Sequence, residues 1–291
     1  MQNDSVLITD VLPGEILKAT FEMLPASHLF IAPVCRHFHD LYGAAIETNK
    51  TFKYSVVTEA ALELYLNDMD YDRERLTSMI GAGCGRTDWV ERGGSLEEDT
   101  CSAAAKGGQL RLLQWLRGRD CPWNSDTCKG AALHGHLETL QWARGEECPW
   151  DKYTCEGAAE GGQLATLRWL RQEGCPWDRR TCAAAARGGH LETLRWARGE
   201  GCPWDVRTCE EAARGGQLQT LQWLRGEGCP WSAWTCAVAA AGGHLEVLRW
   251  CVENGCPYDE NQQAFRAILD PEFLEWFEEH KSKLPPSPDS N

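Results

Sequence analysis

The chain has 291 residues, a net charge of −14 and 15 cysteines. It contains no apolar run approaching the ~18–20 residues that span a bilayer, and its first residues, MQNDSVLITD, lack the basic-then-apolar layout of a signal peptide; the expectation is a soluble protein of the cytoplasm and/or nucleus with no membrane partner. The charge is −7 over 1–97, −3 over 98–259 and −4 over 260–291, with no basic stripe, so nucleic acid is not an expected ligand.

Residues 1–10 form a short polar lead. Residues 11–50 carry three amphipathic stretches. Leu12-Pro13 opens the first, Ile16, Leu17, Phe21 and Leu24 follow at helical spacing, and Pro25 ends it. Leu29 to Val34 make a second, and Cys35, Phe38, Leu41 and Tyr42 a third. Helices this short cannot bury their apolar faces alone, so one reading is a helical cap on the remainder of the chain. The other rests on the pattern Leu-Pro, Ile-Leu, Leu-Pro and Val-Cys-Arg-x-Phe, which resembles an F-box over roughly 12–46. Leu12, Pro13, Ile16, Leu17, Leu24, Pro25, Val34, Cys35, Arg36 and Phe38 match it. The resemblance implies docking on a Skp1-type adaptor of a cullin–RING ubiquitin ligase, through Leu12, Pro13, Ile16, Leu17, Leu24, Pro25, Val34, Cys35 and Phe38.

Residues 51–97 read as a linker helix followed by a worn repeat that caps the array. Ala60, Leu62, Leu64 and Leu66 mark the helix, and Trp89 lies 26 residues before Trp115. Gly81-x-Gly83-x-Gly85 follows no strand pattern and lacks a phosphate-binding lysine, so it does not read as a phosphate loop.

Residues 98–259 repeat one unit six times. Trp115, Trp142, Trp169, Trp196, Trp223 and Trp250 fall 27 apart. Two cysteine series keep the same period: Cys101, Cys128, Cys155, Cys182, Cys209 and Cys236, and Cys121, Cys148, Cys175, Cys202, Cys229 and Cys256. A fixed period of this length predicts an all-α solenoid in which each unit packs on its neighbours. Each unit reads as two helices. Asp151, Asp178 and Asp205 lie three or four residues ahead of the first helix and suit N-caps. Thr-Cys-x-x-Ala-Ala supplies small residues for close packing, and Gly-Gly ends the helix. A second helix, Leu-x-x-Leu-x-Trp, faces inward and places its tryptophan in the core; Gly-Cys-Pro-Trp-Asp then blocks further helix.

The unit AARGGHLETLRWARGEGCPWD resembles the ankyrin repeat. The resemblance covers all six units and implies a binding scaffold, with the buried-leucine position taken by Cys182 and its equivalents. It departs in period, 27 against 33, which removes the projecting hairpin finger. Lys129, Glu156, Ala183, Glu210 and Ala237 stand where ankyrin repeats carry a histidine. Residues 260–284 form a degenerate C-terminal cap with Trp276 26 after Trp250, and 285–291, rich in proline and serine, form a disordered tail.

Little here points to chemistry. The cysteines recur as Cys-x6-Cys, not at zinc-ligand spacing, and six equivalent copies do not make a nucleophile. They read as reduced thiols acting as small apolar residues. No cofactor, metal or catalytic group is expected, and His134, at a Gly-Gly position, reads as a turn residue. What differs between units flanks Thr-Cys and follows Ala-Ala: Lys129, Tyr153, Glu156, Arg180, Arg187, Arg207, Glu210, Arg214 and Trp234. In ankyrin-like stacks that side lines a groove, so these residues are the expected contacts to an unknown target protein. Tyr153, Arg180, Arg207 and Trp234 are the types that anchor interfaces. The chain therefore reads as a non-enzymatic adaptor, monomeric outside its complex, or as a plain repeat scaffold if the N-terminal segment is only a cap.

Overall fold

The computed structural model describes residues 73–258 and 271–280, and every element among them is a helix. The F-box-like segment, from Leu12 to Phe38, lies outside the described residues. The chain divides into two units, Met1–Pro122 and Trp123–Asn291.

In the first unit the described helices are α1 (Arg73–Cys84), α2 (Thr87–Gly93), α3 (Glu98–Lys106) and α4 (Leu110–Arg117). Helix α1 packs on α2 and α3. Gly81 and Gly83 lie inside α1 and Gly85 makes the left-handed turn (φ 75°) that ends it, so this triplet closes a helix rather than forming a phosphate loop. The glycines serve packing: a Cβ on Gly107 would collide with the Gly83 carbonyl, and Trp89 is fully buried in α2.

In the second unit the first helices of successive repeats are α5 (Ser125–Leu133), α7 (Lys152–Glu160), α9 (Arg179–Arg187), α11 (Val206–Arg214) and α13 (Ala233–Ala241). Their partners are α6 (Leu137–Gly145), α8 (Leu164–Gln172), α10 (Leu191–Gly199), α12 (Leu218–Gly226) and α14 (Leu245–Glu253), and α15 (Pro271–His280) comes last. The first helices pack side by side in a continuous row, whereas each second helix packs chiefly on its own partner. Composition explains the asymmetry. The first helices bury Thr, Cys and Ala, such as Thr181, Cys182, Ala185 and Ala186 at 0 % exposure, and small side chains let backbones approach closely.

Capping starts each unit. Asp151, Asp178 and Asp205 are themselves the N-cap residues, with the helix beginning at the very next position; the expected gap of three or four residues is absent. Their carboxylates accept from the backbone N–H two residues on, at 2.9, 2.9 and 3.0 Å. In α7, α11 and α13 the buried threonine completes a reciprocal capping box.

Both helices of a repeat end alike. After α9, the His190 N–H donates to the Ala185 carbonyl (2.9 Å) and the Gly189 N–H to that of Ala186 (3.1 Å); after α14, Cys256 donates to Cys251 (2.9 Å) and Gly255 to Val252 (3.2 Å). This paired 6→1 and 5→2 bonding is the Schellman motif, which requires a left-handed residue. Gly189 (φ 72°) and Gly255 (φ 78°) supply it. The two glycines of each Gly-Gly pair therefore do different work. The second turns the chain; the first, Gly161 or Gly215, is right-handed but lies against the Leu133 or Arg187 carbonyl of the preceding repeat, where no Cβ fits.

The tryptophans depart from expectation. Trp142, Trp169, Trp196, Trp223 and Trp250 are half-buried, while Leu140, Leu167, Leu194, Leu221 and Leu248, two positions earlier, are fully buried. A 9-residue helix with one neighbour has a narrow buried stripe, and the indole falls at its edge. There each ring meets the indole of the Cys-Pro-Trp turn before it, as in Trp150–Trp169 and Trp204–Trp223, both with centroids 5.9 Å apart and edge-on.

Candidate protein-binding face

Because the repeats share one backbone plan, equivalent residues line up. The second residue of each first helix in the second unit gives Asp126, Tyr153, Arg180, Arg207 and Trp234. All five are exposed, and Tyr153 and Trp234 are the large hydrophobic residues left exposed among those described, at 37 % and 54 %. Neighbouring packed helices lie ~8–10 Å apart, so the row from Tyr153 to Trp234 runs ~25–30 Å.

The chemistry changes along the row. Arg180 donates through Nη1 to the Tyr153 hydroxyl at 2.9 Å and lies 5.3 Å over its ring. Lys129 and Lys152 approach the same ring at 5.9 and 5.5 Å. Lys152 pairs with Asp178 at 3.2 Å and Arg179 with Asp205 at 3.1 Å, tying each helix start to the next cap. Arg187 and Arg214 both approach Glu211, at 3.9 and 3.3 Å, and the Ser232 hydroxyl donates to Glu210 at 2.9 Å. Arg207 makes no side-chain ion pair or hydrogen bond among the described residues, and its backbone N–H is bonded to the Asp205 cap. Exposed pairs of this kind are worth only ~0–1 kcal/mol each. A partner can exchange them at little cost.

Below Arg180 lies an open cleft of about 240 Å³, floored by Ala183 and Ala184 and flanked by Glu156, Arg187, Arg207 and Glu211. Glu156 is half-buried, and burial pushes its carboxyl above the ordinary carboxylate value against the pull of Lys129 and Arg180; its Oε2 has no hydrogen-bond partner. The expected contact residues thus fall into three groups. Glu156, Arg180, Arg187 and Arg207 line the cleft, Tyr153 and Trp234 extend the row on either side, and Lys129, Glu210 and Arg214 lie on the same helix faces outside the cleft.

The opposite ladder is of another kind. Arg144, Arg171, Arg198 and Arg225 lie 4.2, 4.2, 4.2 and 4.0 Å over Trp150, Trp177, Trp204 and Trp231. Each also donates through Nη1 to the following cysteine carbonyl, as Arg144 does to Cys148 at 2.7 Å. The same residue types make the same contacts in these four successive repeats, which marks a structural brace that carries no information about a partner.

The thiols pair within a repeat, twenty residues apart, rather than at the Cys-x6-Cys spacing that stands out in the sequence. Cys155 and Cys175, Cys182 and Cys202, and Cys209 and Cys229 share side-chain hydrogen bonds. His134 Nδ1 lies 3.1 Å from the Gly130 carbonyl, a local turn contact.

No protein-family model and no curated protein matches the chain. Among solved structures it is similar to the human ASB11 ankyrin repeat domain, with 14 % sequence identity over 58 % of this chain and 96 % of that one and a TM-score of 0.42.

Proposed function

We propose that the chain is a non-catalytic protein-interaction adaptor whose ankyrin-like repeats hold a target through the first-helix row. The observation behind this reading is that Tyr153, Arg180, Arg207 and Trp234 occupy one register position of otherwise near-identical units and are all exposed. A row of ~25–30 Å suits an extended segment of about eight residues at ~3.3 Å per residue. The unpaired Arg207 guanidinium favours an acidic residue at its centre and Trp234 an apolar one at its end.

In the same proposal the F-box-like segment docks a Skp1-type adaptor bound to a cullin, and the target is presented for ubiquitination in the cytoplasm and/or nucleus. The pattern around Leu12-Pro13, Ile16-Leu17 and Val34-Cys35-Arg36 supports it. The test is capture of a purified Skp1–cullin pair by the intact chain and by a Leu12→Ala/Pro13→Ala/Ile16→Ala variant. The adaptor reading expects binding by the first and loss in the second, with helical circular dichroism unchanged. No binding by the intact chain removes the ubiquitin link and leaves a repeat scaffold, a reading the first-helix row supports independently.

A further inference from the structure

One thiol pair has a third member. Cys236, Cys251 and Cys256 place their Sγ atoms within 4.8 Å of one another, and the three side chains are 1 %, 0 % and 2 % exposed. Cys236 is the buried cysteine of α13, and Cys251 and Cys256 are joined by the Schellman bond at the end of α14. That motif brings two side chains into contact across its turn, normally apolar ones. In the other repeats of this unit the cysteine at the turn faces Ala143, Leu170, Ala197 or Leu224. Only the last full repeat puts sulfur on both sides.

From this geometry we propose that Cys236, Cys251 and Cys256 bind one soft monovalent d10 metal ion of the Cu(I) class in trigonal thiolate coordination. An all-sulfur donor set selects thiophilic ions over hard cations. A structural zinc ion would want four protein ligands, and no fourth His, Cys, Asp or Glu joins the cluster among the described residues. Three sulfurs ~2.3 Å from a central ion sit ~4.0 Å apart, using the usual metal–thiolate length, so the observed spacing needs only a small contraction. Each thiol gives up its proton to solvent as its sulfur binds; the ion enters as Cu(I), so no electron moves.

The test uses the full chain, reduced and anaerobic, loaded with one equivalent of Cu(I) against a competing chelator. The proposal expects X-ray absorption to show three sulfur neighbours at a single distance. It expects Cys251→Ala, which installs the residue found at Ala143 and Ala197, to leave two sulfur neighbours and weaken binding at least tenfold. Equal affinity in both proteins with two sulfur neighbours would overturn it. Ala197→Cys, beside Cys182 and Cys202, serves as a second arm should Cys251→Ala fail to fold. A second three-sulfur site upholds the proposal, and its absence overturns it.

Discussion

The left-handed position that closes each second helix is glycine at Gly174, Gly201, Gly228 and Gly255, with φ of 77–81°, yet Glu147 occupies it at φ 64° and Asp120 at φ 57°. A side chain with a Cβ costs roughly 1–2 kcal/mol in this conformation, and aspartate tolerates it better than glutamate. Glu147 is exposed, so nothing it contacts repays that cost. Glu147→Gly is therefore expected to stabilise the chain by about 1 kcal/mol, seen as a higher urea midpoint at unchanged slope. An unchanged or lower midpoint would mean that the turn is not held left-handed in solution.

Neighbouring repeats are stapled at the starts of the second helices, where Gln and His alternate at Gln163, His190, Gln217 and His244. Each side chain sits over the left-handed glycine of the preceding repeat, filling the space a Cβ would need at Gly135, Gly162, Gly189 and Gly216. Gln217 is fixed within its own repeat by donating to the Gly215 carbonyl at 2.7 Å, and His244 Nε2 lies 2.9 Å from the Arg214 carbonyl of the preceding repeat. The alternation is plain in the sequence, but its meaning is not, because it depends on a glycine one repeat away. Burial holds His190 below the ordinary imidazole value, partly offset by its hydrogen bond to the Glu160 backbone. The unfolded chain therefore takes up this proton first. Stability falls as pH drops from about 6.5 towards the lowered folded value, and this residue adds no further loss below it. His190→Gln, the residue of the alternate repeats, should lose less stability than the parent between pH 7.5 and 5.5 in urea unfolding. Equal losses would contradict the staple's burial.

At the scale of the whole molecule, the 27-residue period makes the helical repeat, its two-helix parse and its caps legible, because each arises from local spacing. The register row of Tyr153, Arg180, Arg207 and Trp234 is legible for the same reason: a strict period turns sequence offset into spatial alignment. What stays hidden depends on contacts across a turn or between units. The indoles lie at the edge of the buried stripe because each second helix has essentially one neighbour. The Cys251–Cys256 approach arises from a helix-ending motif, while the Cys-x6-Cys spacing points to the wrong partners.

The central claim is that the first-helix row binds the target and the Trp–Arg ladder only braces the stack. The most direct measurement is selection of a random peptide display library on the intact chain. The strongest peptide is then titrated against the parent, Arg207→Ala, Trp234→Ala and Arg168→Ala on the ladder side, where the Arg168 guanidinium lies 5.6 Å over Trp196, whose ring meets the ladder's Trp177. Binding by the row predicts peptides that combine acidic and large apolar residues, with affinity reduced at least ~10-fold, or ~1.4 kcal/mol, by either row substitution and within about twofold of the parent for Arg168→Ala. Affinity lost in Arg168→Ala and retained in Arg207→Ala and Trp234→Ala would place binding on the ladder and contradict it.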